Sequence, residues 1–408
     1  MTESQTHTNH DMNDAWGVYI HIPFCVSRCN YCDFNTYSGI ERYIDDYFQA
    51  LGCESRAFWA RYTTGAIFAD TVFIGGGTPS YVDPVYIERL LTDIPAIFNN
   101  DCIDADETPP SRYGEINPLW ECTIEVNPGT LNRDKLEAYA RVGVNRLSFG
   151  LQSTHDIHLK MLGRIHSYED FLGNYRSAQN IGFKNINADL LFGLPGQSIK
   201  DWERTLETVA GLGIRHLSCY SLSIEEGTPL YRAVESGDLP RPDEDADREM
   251  YHFAQAYLRS AGLLQYEISN FAEPGVECRH NLKYWTGARY RGFGAGAHSY
   301  DGANRYSNAL SAPDYIKRVG KDGAAVVESA AVDDGEREKE FIILRLRLTR
   351  GFYEAEFKAL FGYGFMEKYK GKIERLENAG LIAVGSDRSV RLTSLGMDLA
   401  NKVFVEFI

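Results

Sequence analysis

His21 to Phe34 reads HIPFCVSRCNYCDF and gathers three of the chain's eight cysteines, Cys25, Cys29 and Cys32, within eight residues. The preceding GVYIHI, from Gly17, has the alternation of a strand. The thiols therefore fall on the loop after it, in a C-x3-C-x2-C spacing that lets them converge on one inorganic centre. A structural zinc takes four protein ligands, and the nearest fourth, His21, belongs to the strand. A 4Fe–4S cluster usually takes four thiolates, so three leave one iron open. The remaining cysteines, Cys53, Cys102, Cys122, Cys219 and Cys278, follow no pattern and read as small buried apolar residues of a reducing compartment.

Working outward, GVYIHI is the first of six β-rich runs separated by helical stretches. The others are TVFIGGG from Thr71, ECTIEV from Glu121, NRLSFG from Asn145, NINADLLFG from Asn185 and RHLSCYSLSI from Arg215. This is the rhythm of a parallel α/β sheet, and six units are too few for a closed eightfold barrel. The expectation is a partial (β/α)6 barrel over 17–227, with chemistry at the carboxyl ends of its strands. A polar, Pro-containing stretch at about 99–120 reads as an insertion, and 1–16 as a flexible polar tail. Residues 228–334 form an extension, opening with a Pro-rich acidic stretch and carrying a Gly- and aromatic-rich segment from Tyr266 to Tyr306. From 335 to 408, helical runs precede a hairpin, IAVGSDRSVRLT, and a last helix, the order of a winged-helix-like domain. That region holds 13 basic and 11 acidic residues, so packing is a better reading for it than DNA binding or a metal-sensing regulator.

The chain has 408 residues, 44% of them apolar, and a formal charge of −15. It can bury a large core, and its charge disfavours nucleic acid or an anionic membrane as main partner. The polar start has neither the apolar core of a secretory signal nor the character of a transit peptide, and no stretch reaches a membrane span. A cytoplasmic protein is expected.

At the end of the second strand, GGGTPS (Gly75–Ser80) lets backbone N–H groups approach a ligand closely, although a glycine run alone is also an ordinary turn. In TIEVNPGT, Glu125 sits at the end of the third strand, where an acid holds hydroxyls or an ammonium group, or is merely solvated.

The C-x3-C-x2-C spacing, with Tyr31 one before the third cysteine, resembles the signature of the radical SAM superfamily. The resemblance implies that S-adenosylmethionine fills the open iron and is cleaved by an electron from the cluster, which requires an electron donor. VYIHIPFC, GGGTPS, EVNPGT, SFGLQS, LGRIHS and DLLFGLPGQ together resemble the oxygen-independent coproporphyrinogen III oxidase-like family over nearly the whole chain. That family's S-adenosylmethionine contacts carry over to Tyr19, Gly76, Gly77, Thr78, Glu125, Gln152, Arg164 and Asp189. Arg164 suits the cofactor carboxylate, and Gln152 and Asp189 its ribose or methionine ends.

Two features separate branches of the family. True oxidases resemble C-x3-C-x2-C-x-C, whereas this chain has Phe34 at the last position, as in the HemW-type heme chaperone branch. HNLKYW (His280–Trp285) matches that branch's heme motif. The resemblance implies heme as bound cargo, hemoprotein clients, and His280, Asn281, Tyr284 and Trp285 as heme candidates. His298 in GAGAHSY is a rival ligand and Cys278 a lesser one; a loop in which His280 bonds only to protein is the bland reading. The alternative function is oxidative decarboxylation as a coproporphyrinogen III dehydrogenase, or action on another tetrapyrrole. Oligomeric state is open, a homodimer included.

Overall fold

The structure, a computed structural model, describes residues 15–61, 69–92 and 120–408. Most of the polar tail, nearly all of the expected insertion and Cys102 lie outside the described residues. Six strands, β1 (Trp16–Ile22), β2 (Ala69–Gly76), β3 (Glu121–Val126), β4 (Arg146–Gln152), β5 (Asn185–Phe192) and β6 (His216–Ser221), pair in parallel in chain order. Helices including Ile44–Trp59, Arg133–Arg141, Tyr168–Ile181 and Ile199–Ala210 link them. Two of these helices start at capping boxes, Ser167 with Asp170 and Ser198 with Asp201. Each satisfies two N–H groups at its helix start and contributes about 1 kcal/mol.

The two-residue period of the strands separates two environments. Val18, Ile20, Val72, Ile74, Ile124, Leu147, Phe149 and Leu217 join one apolar core with helix residues such as Leu51, Tyr139, Phe171 and Trp202. Their neighbours along the strands point to the barrel interior and include Tyr19, Phe73, Glu125, Asn187 and Asp189. One inward residue in each of β1 to β5 is half-buried while the rest of the strand's middle is closed: Tyr19, Phe73, Glu125, Gly150 and Asp189. Tyr220 of β6 is 37% exposed on the same side. Together these residues outline a central chamber.

The 228–334 region extends the barrel sheet at both edges. β9 (Tyr290–Phe293) lies parallel to β1 and is followed by antiparallel β10 (His298–Tyr300), β11 (Asn304–Asn308) and β12 (Val326–Ala331). On the other side, β8 (Asn270–Ala272) pairs with β6 and β7 (Leu264–Gln265) with β8. Among the described residues, β1 to β12 form one sheet. β13 (Phe352–Tyr353), β14 (Ile382–Val384) and β15 (Ser389–Leu392) form a separate antiparallel sheet in the C-terminal region. With helices Asp334–Leu346, Glu354–Phe361 and Lys370–Asn378 they enclose a second apolar core that contains Phe341, Phe352, Phe357 and Val390. Helices followed by a hairpin make a winged-helix-like arrangement. Cys122, Cys219 and Cys278 are buried as expected, whereas Cys53 is exposed on the helix Ile44–Trp59, whose core-facing positions are taken by larger apolar side chains.

A buried carboxylate fastens the extension to the barrel. Glu54, 1% exposed, accepts hydrogen bonds from Arg291 Nη2 (2.9 Å), Gly294 N (3.1 Å), Asn308 Nδ2 (2.9 Å) and Tyr315 OH (2.7 Å). Removing one partner of a buried ion pair leaves an uncompensated charge. Glu54→Ala should therefore lower stability by about 3–5 kcal/mol in urea unfolding; a change below ~1 kcal/mol would show that this network does not anchor the extension.

Candidate iron–sulfur and cofactor site

Cys25, Cys29 and Cys32 occupy the loop at the carboxyl end of β1, and the loop is pinned along its length. Cys25 N donates to Tyr37 O (2.9 Å) and Asn30 N to Leu162 O (2.9 Å). Asn30 Nδ2 donates to Met161 O (2.8 Å), and Asn35 Nδ2 donates to Ala295 O (3.1 Å) and Leu310 O (3.0 Å). His21 lies beneath the loop. Its Nε2–H donates to Asn35 O (2.9 Å), which leaves Nδ1 to accept from Tyr19 OH (2.9 Å). Both ring nitrogens are thus engaged by protein.

Each thiol has a hydroxyl or guanidinium beside it. Thr78 Oγ1 donates to Cys25 Sγ (3.4 Å), Arg164 Nη1 donates to Cys29 Sγ (3.4 Å), and Cys32 Sγ lies 3.9 Å from Thr36 Oγ1. Donors directed at sulfur favour thiolate and tune a bound cluster. Burial raises the Cys25 thiol's pKa, so binding of metal at Cys25 is coupled to loss of its proton. Among the described residues no three His, Cys, Asp or Glu side chains are placed to share a single metal ion. A cluster, in contrast, takes each thiolate on a different iron. These features fit a 4Fe–4S cluster.

The cofactor candidates surround the same loop and the chamber below it. Gly76 has φ +117, and a Cβ there would lie 2.6 Å from the His21 ring. At Gly77 a Cβ would meet Phe24 O at 2.8 Å and Cys25 Sγ at 3.0 Å, so both positions take glycine because the end of β2 packs directly against the cysteine loop. Glu125 accepts from Gly76 N (3.0 Å). Its pKa is raised to about 8, first by burial and then by the field of Asp189. Asp189, also raised by burial, accepts from Asn187 Nδ2 (2.8 Å) and Ser148 Oγ (3.3 Å). Gln152 holds φ +71 at an irregularity in the β4–β5 pairing, a strained conformation for a residue with a side chain. Arg164 Nη2 donates to Gly150 O (2.6 Å), while its buried Nε has no partner. An unfilled donor beside the cysteine loop suits a cofactor carboxylate.

The HNLKYW segment is at the opposite end of the barrel from the cysteine loop. HNLKYW lies on the helix Arg279–Thr286 under the amino ends of β1 to β3. Glu121, first residue of β3, accepts from Arg279 N (3.0 Å), His280 N (3.0 Å) and the Cys278 thiol (3.5 Å), so it compensates the positive start of this helix. Asp70 pairs with Lys283 (2.7 Å) and Arg279 (2.8 Å). His280 is 1% exposed, with Nδ1 2.9 Å from Thr71 Oγ1 and Nε2 2.9 Å from Tyr284 OH. Its ring stacks on Phe73 (5.4 Å), which stacks in turn on Tyr19 (6.3 Å). A continuous column therefore runs from the cysteine loop through His21, Tyr19 and Phe73 to His280. Asn281 and Trp285 are half-buried, and Arg347 lies over the Trp285 ring at 4.9 Å. His298, in contrast, is exposed on β10.

Thr71, Phe73 and Glu121 were not singled out in the sequence. Phe73 and Thr71 share the inward register of TVFIGGG, a signal that alternation could have supplied. Nothing local marks Glu121 as the acceptor for a helix more than 150 residues away.

A radical SAM superfamily model matches residues 19–209, and a HemN C-terminal domain model matches 332–399. The chain is 37% identical to "Heme chaperone HemW" of Bacillus subtilis (strain 168), over 96% of this chain and 98% of that protein. It is 30% identical to "Radical S-adenosyl methionine domain-containing protein 1, mitochondrial" of Danio rerio, over 95% and 85%. The solved structure of coproporphyrinogen III oxidase (HemN) from Escherichia coli superposes with a TM-score of 0.81 at 23% identity, covering 97% of this chain and 90% of that one, and so shares its fold.

Replacing Cys25, Cys29 and Cys32 together by Ala should abolish iron retention and visible absorbance after anaerobic reconstitution; a full complement of iron would overturn the ligand assignment. Folding holds a proton on Glu125 that the unfolded chain releases near the ordinary Glu value of ~4.3. The iron-free protein should therefore lose stability as pH rises from that value towards 8. Glu125→Gln should flatten this slope in unfolding measurements.

Proposed function

Since the chain belongs to the HemW family of radical SAM proteins, we propose that it is a cytoplasmic heme chaperone that binds heme and passes it to hemoproteins. Cys25, Cys29 and Cys32 hold a 4Fe–4S cluster, and Tyr19, Gly76, Gly77, Thr78, Glu125, Gln152, Arg164 and Asp189 surround S-adenosylmethionine. The bound cluster supplies an open iron and an electron, which an external donor replaces. Gly76 and Gly77 keep the cofactor's approach clear, and Arg164 neutralises its carboxylate. His280 is the heme-iron ligand, with Tyr284 and Trp285 beside it.

The observation that carries this reading is the position of HNLKYW as the chamber floor, joined by the Tyr19–Phe73–His280 column to the cysteine loop. The motif and the cluster thus address one interior from opposite ends. His298 is the competing imidazole, accessible without rearrangement. The oxidase alternative lacks the further cysteine that Phe34 replaces, and Phe34 is 66% exposed at the loop's edge.

Titration of the reconstituted protein with ferric heme tests the assignment. His280→Ala should weaken binding and move the Soret band while His298→Ala leaves both unchanged; the reverse pattern would transfer the ligand to His298. With coproporphyrinogen III, S-adenosylmethionine and reductant under anaerobic conditions no protoporphyrinogen should form. Its formation would make the protein an oxidase.

A further inference from the structure

Behind Asp189 a file of buried polar side chains leads towards the amino end of the barrel. Asp189 Oδ1 accepts from Asn187 Nδ2 (2.8 Å), and the same amide nitrogen donates to Ser148 Oγ (2.7 Å). Asn187 Oδ1 lies 2.7 Å from His216 Nδ1 and accepts from Ser218 Oγ (3.2 Å). His216 Nε2 is 2.9 Å from Tyr266 OH, and that oxygen accepts from Cys278 N (3.3 Å), the residue before the helix Arg279–Thr286. Strand pairing builds this file. Asn187 and Asp189 are two residues apart on β5, so both point inward, and Asn187 is directly paired with His216 of β6. Asn187, His216 and Ser218 are 1%, 0% and 2% exposed, so protein groups have to satisfy them.

The two ends of the file agree on the direction of every hydrogen bond in it. A carboxylate accepts, so Asn187 turns its amide nitrogen to Asp189 and its oxygen to His216. The His216 proton then sits on Nδ1, which leaves Nε2 to accept from the Tyr266 hydroxyl. At the far end the Cys278 N–H can only donate, and the Tyr266 oxygen receives it. Asn187 is the link where direction matters most, because its amide fills the same space when turned end for end. Turned that way, it would aim an oxygen at Asp189. Resting on the reading that sets Asp189 against S-adenosylmethionine, we infer that His216 and Asn187 are positioning residues for this carboxylate. His216 fixes the direction of the Asn187 amide, and the amide holds Asp189 aimed at the chamber. A carboxylate held in this way meets a cofactor hydroxyl or ammonium group without first losing rotational freedom. Were His216 and Asn187 only buried polar groups that satisfy one another, their loss would lower stability without a selective effect on the cofactor.

Equilibrium binding of S-adenosylmethionine to the cluster-reconstituted full chain, measured beside urea unfolding, separates these cases. His216→Leu should weaken binding about tenfold. His216→Asn, whose amide nitrogen takes the place of Nδ1, should restore most of that loss. In an Asp189→Asn background His216→Leu should have no further effect on binding, because its route to the cofactor has been removed. Unchanged affinity in His216→Leu, an equal loss in both backgrounds, or failure of His216→Asn to bind better than His216→Leu would each overturn the proposal. Asp189→Asn alone is the control for the underlying reading, and wild-type affinity in that variant would remove Asp189 as a cofactor contact. Should His216→Leu fail to fold, Asn187→Ala in the same two backgrounds decides by the same criterion.

Discussion

Alternation along β1 to β6 is the constraint from which the rest of the structure follows. Because each strand sends successive side chains to opposite faces, the apolar set can meet the surrounding helices only if the intervening residues turn inward. Those residues are too polar to fill a dry interior. Tyr19, Glu125 and Asp189 instead line a chamber that remains accessible at one level of the barrel. A one-residue slip in any of these strands would exchange the two sets, placing acids against helices and leucines in the chamber.

A chamber of this kind needs its ends defined, and the chain uses charge and hydrogen bonding for both. At the carboxyl end, the cysteine loop is held by Asn30 and Asn35 and supported from beneath by His21. At the amino end, Glu121 receives the first N–H groups of the helix that carries HNLKYW. Buried carboxylates are costly unless several donors meet them. Glu54 and Glu121 are each met by three or more donors. Glu125 has one backbone donor, and burial, with Asp189 close by, raises its pKa to about 8. Glu125 thus differs from the two structural acids in how many donors meet it.

The same contrast applies to the two histidines of the heme reading. In sequence, His280 and His298 differ only by their motifs. In the fold, one is enclosed with both ring nitrogens engaged, and the other is exposed on β10. Solvent access alone favours His298. The column of stacked rings from Tyr19 to His280 ties this imidazole to the chamber, whereas His298 stands apart from it.

Much of this protein was legible in its sequence because the determining signals are local. Cysteine spacing after a strand, period-two runs separated by helices, and a glycine run at a strand's end need no distant partner to be read. The C-terminal hairpin was legible for the same reason. Only the tertiary structure joined 228–334 to both edges of the barrel sheet, set HNLKYW at the opposite end from the cysteines, and made Glu121 and Glu54 anchors rather than solvated acids. These outcomes depend on pairings between residues far apart in the chain, such as Gly17 with Tyr290 or Glu121 with His280. No periodicity encodes such pairings, since they are decided by which surfaces remain to be buried after the local elements have formed.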